Sequence, residues 1–313
     1  MTTMTDIDEV DVSAEERTEC AETSASERGA GAVLHAALPR WRRSLVAAWY
    51  YGTLAYRMAA AATAARVGRS PVMVLFYHRV ADEHPNAWTI STADFRRHLD
   101  WLAPRFDLVS LAEAQRRIAE GNHRPAVSIT FDDGYADNVR FALPLLIERR
   151  IPCTYFVSLE HVSTGRPFPH DSDAGRPLAP NTIEELRELA AAGIDIGGHT
   201  RTHADLGSIA DPHVLHDELI AATRELEDAV GHAVRYFAFP YGQPGNLSDA
   251  ALRLARDHGL WGVCSAWGAY NVPGDDPFHL RRIHADADIR FKNWLTVDPR
   301  KTRNNSSVSR GDL

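Results

Sequence analysis

The chain has 313 residues, 44% of them hydrophobic and 24% charged, with 15 histidines and three cysteines. These values exclude a fibrous or wholly disordered chain and allow a sizeable core. The net charge of −8 is concentrated at the start. Residues 1–28 carry nine acids against Arg17 and Arg28, and nothing beyond them forms a broad basic face, so nucleic acid is not expected as a partner. Cys20, Cys153 and Cys264 show no CxxC spacing; the last two lie in apolar runs and read as buried small hydrophobes, with no disulfide framework.

Residues 1–30 are acidic, rich in Ser, Thr and Ala, and read as a disordered tail. Residues 31–70 hold six arginines and no acid. Leu34, Leu38, Trp41, Leu45 and Trp49 recur there at helical spacing. The run from Ser44 to Ala65 has the length of a membrane span, but Arg57 at its middle and its many alanines argue against one. Two readings stay open for this basic helical segment: a helix lying on a membrane surface, or one packed on the protein's own catalytic domain. The acidic start lacks the profile of a secretory signal, which favours a cytoplasmic or peripherally membrane-associated protein.

From residue 71 to about 295 strands and helices alternate. The expected strands are Val72–Phe76, Phe106–Val109, Ala126–Phe131, Cys153–Val157, Ile194–Gly197, Tyr236–Phe239, Gly262–Ser265 and Leu280–Ile283. Helical patterns lie between them over Thr92–Ala103, Leu111–Glu120, Ala136–Arg149, Ile183–Ala192, Pro212–Val230 and Ser248–His258. Two have clear start signals, Thr182 before Glu184 and Glu185, and Asp211 before Pro212. The alternation implies a parallel sheet, and its seven or eight repeats imply a closed or nearly closed α/β barrel. In such a barrel functional groups gather at the C-terminal strand ends. Residues 296–313 read as a polar tail.

The short segments just after the strands are chemically rich. "SITFDDGYADN" places Asp132 and Asp133 at a strand end. Adjacent carboxylates repel, so a cation beside them is expected. "GGHTRTHADL" supplies His199 and His203, whose four-residue spacing would put both imidazoles on one side of a helical turn. One carboxylate added to that pair makes a three-ligand set with open positions, the catalytic arrangement. The second carboxylate is then free to act as a base. The alternative for the aspartates alone is a helix cap. Further motifs are "FPYG" after the sixth strand, "YHRV" with His78 after the first, and "RRIHAD" with Arg282 and His284 after the last.

"TFDDG", "HTRTH" and "FPYG", in this order and spacing, resemble the polysaccharide deacetylase family with its NodB-homology fold. The resemblance spans about residues 71–295. It implies a distorted (β/α) barrel with about seven parallel strands, and a divalent metal, usually zinc, with cobalt and nickel also suited to the ligands. It implies removal of acetyl groups from a glycan of N-acetylated sugars. By motif position Asp132 resembles the general base, Asp133, His199 and His203 the metal ligands, and the backbone N–H of Tyr241 the oxyanion donor. Many members carry an arginine two residues before the proline of "FPYG"; here that position is Ala238. Arg282 is the expected replacement, since alternation along a strand points Arg282 and His284 the same way. His284 is the expected general acid, with His78 its rival or a substrate contact. The Pro/Gly-rich stretch 165–181 offers His170 and Asp171 to a sugar cleft. Two rival functions stand beside deacetylation: a catalytically silent glycan-binding protein that keeps the metal, and a hydrolase of a small cyclic amide.

Overall fold

A computed structural model of the chain describes residues 39–267, 270–285 and 289–298. The acidic tail over 1–30, Leu34 and Leu38, and the polar tail beyond residue 298 lie outside the described residues. Among the described residues there are ten strands: β1 (Val72–Tyr77), β2 (Arg79–Val80), β3 (Thr89–Ile90), β4 (Asp107–Leu108), β5 (Ala126–Phe131), β6 (Cys153–Val157), β7 (Asp195–Gly198), β8 (Tyr236–Ala238), β9 (Gly262–Ser265) and β10 (His279–His284). Seven of them close into an all-parallel ring in the order β1-β10-β9-β8-β7-β6-β5, sealed by β1 pairing with β5. β4 shares an edge of β5 with β6: it pairs with Ala126 and Val127, and β6 with Ile129 to Phe131. The small β2–β3 pair stands apart and carries no alternation long enough to read in sequence.

Burial follows from the two-residue period of a strand. β1 and β5 are buried along their whole length, as strands covered on both faces must be. Met73, Leu75, Val127, Ile129 and Ile283 face outward into the main core beneath the helices. Val72, Val74, Phe156, Ala238, Cys264 and Leu280 fill a second cluster that lines the barrel interior. Arg282 and Thr130 continue that inward-facing set. Cys153 and Cys264 are both buried, and burial pushes the Cys264 thiol up to about 12, so both are inert packing groups.

The helices follow their start signals. Thr182 forms a capping box with Glu185 ahead of Ile183–Ala191, and the Asp211 carboxylate accepts from the His213 N–H ahead of Pro212–His216. Two expected helices are interrupted. Ala136–Arg149 resolves into a 3-10 turn at Ala136–Val139 and a helix at Ala142–Glu148. Pro212–Val230 contains a π-helical segment at Asp217–Ala221. The 165–181 stretch is no simple connection; Pro169–Asp173 is a short helix.

One long helix, Arg40–Arg66, precedes the barrel and packs on it. Arg57 is 1% exposed, and it docks on the C-terminal end of the last helix, Ile289–Leu295. Its guanidinium donates to the Asn293 side-chain oxygen at 2.7 Å and to the backbone carbonyls of Asn293, Thr296 and Val297. A cation over the free carbonyls of a helix end satisfies those acceptors and complements the helix dipole. The reading of this helix as packed on its own domain therefore holds for its inner edge.

Two measurements probe this packing. Arg57→Met keeps the stem but strands buried carbonyls, and should cost about 2–4 kcal/mol in urea unfolding. His98 is buried, shares a hydrogen bond with the Tyr77 hydroxyl at 3.1 Å and stacks on Phe291. Burial pushes its pKa down to about 4 from 6.5. Below pH 6.5 the unfolded chain binds a proton that the folded one refuses, so stability falls until about pH 4. Thermal melts across that window should show this loss, and His98→Phe should flatten it.

Candidate metal centre and its surroundings

The inward face of β5 runs through Ala126, Ser128 and Thr130, and the same alternation carries Asp132 into the barrel mouth. Asp132 is 3% exposed, and its N–H donates to the Tyr77 carbonyl at 2.9 Å. Its carboxylate receives both arms of one guanidinium: Arg282 Nη1 donates to Oδ1 at 2.6 Å and Nη2 to Oδ2 at 2.8 Å. Arg282 lies on β10, opposite Val74 of β1. It is fully buried and also donates to the Ser265 carbonyl and the Thr130 hydroxyl. Phe76 and Phe156 pack on the guanidinium at 4.8 Å and 5.4 Å. Burial alone would raise the Asp132 carboxyl; the charge of Arg282, then that of His199, outweighs it and holds the group below the usual carboxylate range.

Asp133 turns the other way because its backbone is left-handed, with φ at 73°. Its Oδ1 lies 3.4 Å from Nε2 of His199 and 3.4 Å from Nε2 of His203. Among the described residues these three form the one group able to hold a metal ion, with ligand atoms all within 4.8 Å of one another. Ligands held at about 2.0–2.1 Å around a tetrahedral ion stand roughly 3.4 Å apart, so the spacing suits one. Asp133 Oδ1 is buried and accepts no hydrogen bond, as expected of an oxygen reserved for a cation. His199 Nδ1 lies 2.7 Å from the Ala238 carbonyl. Donation to that carbonyl fixes the proton on Nδ1 and leaves the Nε2 lone pair facing Asp133. Burial would raise the Asp133 carboxyl, but the charge of His78 and the imidazoles of His199 and His203 beside it hold it well below the ordinary range.

The histidine spacing works differently from expectation. Residues 199–203 form no helical turn; they lie in an irregular loop with Thr200 and His203 both at positive φ. The loop is held from below by Glu218, inside the π-helical segment. The Glu218 carboxylate accepts from the N–H groups of Arg201 and Thr202 at 2.9 Å and 3.0 Å and from the Thr202 hydroxyl at 2.7 Å. A π-bulge shifts the register of a helix, and here it brings that carboxylate under the backbone between the two imidazoles. Gly197 is needed for a separate reason: a Cβ there would sit 2.3 Å from the Phe156 ring.

The remaining predicted residues gather around this pair of groups. His284 ends β10 opposite Phe76, and His78 comes directly after β1; their rings lie 6.1 Å apart, with Trp88 4.4 Å from His78. Burial, opposed by Asp133 and Asp132 and reinforced by His284 and Arg282, pushes His78 down to about 4. Tyr241 lies beyond β8 in a left-handed turn with φ at 60°, its ring 5.3 Å from that of His203. Gly242 completes that turn, where a Cβ would meet the Ala266 nitrogen at 2.6 Å. His170 is exposed on the rim and lies 3.0 Å from the Tyr135 hydroxyl. Asp171 is buried instead, accepting from Tyr135 at 2.8 Å and from Asn86 at 3.0 Å. Phe168 sets its ring edge against His203, so segment 165–181 forms a wall of the site. Phe168 and Glu218 are not legible as site residues in sequence, for neither lies in a spaced motif.

The geometry makes Glu218 a positioning residue for the loop that carries His199 and His203. If those imidazoles hold a divalent cation, Glu218→Ala should weaken its binding by about 10–100-fold in titration calorimetry, with Glu218→Gln recovering part of the loss through its remaining acceptor.

Comparison with known proteins agrees with this arrangement. The polysaccharide deacetylase family model matches residues 119–263. A chitooligosaccharide deacetylase of Bradyrhizobium sp. (strain ANU 289) is 29% identical over 165 residues, covering 50% of this chain and 65% of that protein. The chain thus spans just under two thirds of the length of that relative. Among solved structures, IcaB from Ammonifex degensii has a TM-score of 0.60 at 26% identity, over 73% of this chain and 98% of that one. The Streptococcus pyogenes deacetylase PplD has a TM-score of 0.62 at 19% identity, over 74% of this chain and all of that one, a likeness of fold. The motifs, the ring of seven strands and these matches together give the chain its likeness to the polysaccharide deacetylase family, whose model matches residues 119–263.

Proposed function

We propose that the protein hydrolyses the acetamide of an N-acetylated sugar in an oligomer or polymer, with Asp132 as general base. The observation that carries this reading is the buried Asp132–Arg282 pair, with bonds of 2.6 Å and 2.8 Å, beside the Asp133, His199 and His203 set. Arg282 stands where the family's missing arginine would be needed, since Ala238 offers no charge. A divalent cation on the three ligands would supply Lewis-acid activation of the amide carbonyl and of water; zinc suits the donors, as do cobalt and nickel.

The chain's own groups supply the proton steps. Asp132, kept ionised by Arg282, takes a proton from water as its oxygen bonds to the acetamide carbon. The developing oxyanion is assigned to the Tyr241 N–H; the Tyr241 ring lies 5.3 Å from that of His203. The C–N bond breaks as the departing nitrogen takes a proton, releasing acetate and the free amine. His284 is assigned that proton. His78, held near 4 by burial, is neutral at pH 7 and serves as a hydrogen-bonding neighbour. His170, exposed beside Tyr135, is assigned to the sugar.

A silent glycan binder would gain nothing from a buried ionised carboxylate held by a dedicated arginine, because that pair costs desolvation. A small cyclic amide is a weaker fit than a sugar chain, because Tyr241 and His170 at the rim are both exposed. The relative named for chitooligosaccharides supports the polymer reading.

The test is acetate release from chitooligosaccharides. Turnover is expected to vanish with a chelator and return with zinc, and Asp132→Asn should lower kcat by about 10²–10⁴-fold while zinc content is retained. Undiminished turnover in that variant would overturn the assignment.

A further inference from the structure

Helix Arg40–Arg66 has a face that the barrel does not use. Its inner edge buries Tyr50 and Arg57, with Ala60, Ala61 and Ala64 partly covered behind them. The side away from that edge presents Trp41, Leu45, Trp49 and Tyr56, which fall on one stripe at helical spacing; Tyr51 and Met58 lie roughly a third of a turn from it. All six are between 46% and 65% exposed. A helix packed on a water-soluble domain ordinarily carries charge on that side. This one contains no Asp, Glu or Lys in 27 residues. Its exposed charge is Arg40, Arg42 and Arg43 at the N-terminal end and Arg66 in the last turn, with the Arg42 guanidinium 5.1 Å over the Trp41 ring.

We infer that this face docks on an anionic lipid surface. Tryptophan and tyrosine favour the boundary between headgroups and acyl chains, and clustered arginines are drawn to anionic headgroups. No helix among the described residues is long and apolar enough to cross a bilayer, so the contact is with the surface. A second copy is a poor occupant: the stripe has no acid to answer its own arginines, in either orientation of two such helices. The acidic residues 1–28 are the other source of negative charge, but they hold no aromatic residue and only Met1, Met4, Ile7 and the two valines to cover the tryptophans.

The placement of the helix sets the geometry of the docked protein. Its end is pinned where the Gly68 carbonyl accepts from the Asn122 N–H and His123 Nδ1 meets the Ala65 carbonyl. Those contacts lie at the N-terminal ends of β1 and β5, the barrel end opposite Asp132 and Asp133. The docked helix leaves the metal-site rim turned toward water, open to a glycan reaching it from solution.

This inference does not rest on the deacetylase reading, and its test reads binding alone. The full chain is floated with vesicles of phosphatidylcholine and with the same vesicles doped with phosphatidylglycerol. It should bind the doped vesicles at least about tenfold more tightly, an advantage that high salt removes. The triple change Trp41→Ser, Leu45→Ser, Tyr56→Ser should reduce flotation by about tenfold or more, with the melting temperature unchanged. Arg40→Gln with Arg42→Gln and Arg43→Gln should abolish the preference for doped vesicles. The inference fails if the full chain floats with neither vesicle, if it does not prefer the doped ones, or if the serine changes leave flotation intact. It also fails if they instead convert a dimer to a monomer in sedimentation.

Discussion

The structure depends on a buried ion pair at the mouth of the barrel. Taking a carboxylate and a guanidinium out of water costs several kcal/mol each, and removing either partner would leave the other charged and stranded. Arg282 offsets that cost with four hydrogen bonds from its five N–H donors: two to Asp132, one to Thr130 and one to the Ser265 carbonyl, with Phe76 and Phe156 against the guanidinium. The pair crosses the inner surface of β1, tying β10 to β5 on either side of it. Closure of the ring and the protonation state of Asp132 therefore rest on the same contact. The neighbouring Asp133 has no such partner for its Oδ1, which faces the imidazoles of His199 and His203 instead. The two adjacent carboxylates thus turn to different groups.

The parts of the site that are legible in sequence are those set by strand alternation. Asp132 follows from the inward set of β5, and Arg282 with His284 from that of β10. Alternation also shows how an arginine from the last strand can stand in for the absent one at Ala238. The unreadable parts depend on departures from regular structure. The positive φ of Asp133, Thr200, His203 and Tyr241 directs side chains where no period would. His199 and His203 converge without the helical turn that their spacing suggests. Glu218 sits in a segment whose sequence reads as ordinary helix, and only the π register at Asp217–Ala221 turns it under the histidine loop. Phe168 reaches the site through a loop path that local patterning cannot trace.

Helix Arg40–Arg66 shows why periodicity finds a face without saying what it faces. Trp41, Leu45 and Trp49 recur as a core-facing stripe would, yet they point outward, and the inner edge is made of Tyr50, Arg57 and alanines. Small residues allow close approach to the domain, and one arginine satisfies the carbonyls at the end of the last helix. The side chains that would ordinarily make the core are left on the other side. Arg57, which argues against a membrane span when read as an isolated charge, turns out to be the docking group for the helix.

The two ends of the barrel thus carry different demands. The C-terminal strand ends collect charge and strained backbone, which need a rigid support, and β1 and β5 provide it with full-length pairing and complete burial. The N-terminal ends face no such constraint and accept the long helix through its last turn, at Ala65 and Gly68. Because the ring of strands separates the two ends, whatever binds the outer face of that helix does not displace Asp132, Asp133 or the histidine loop. A surface contact at one end can hold the protein in place while the groups at the other keep the geometry that their chemistry requires.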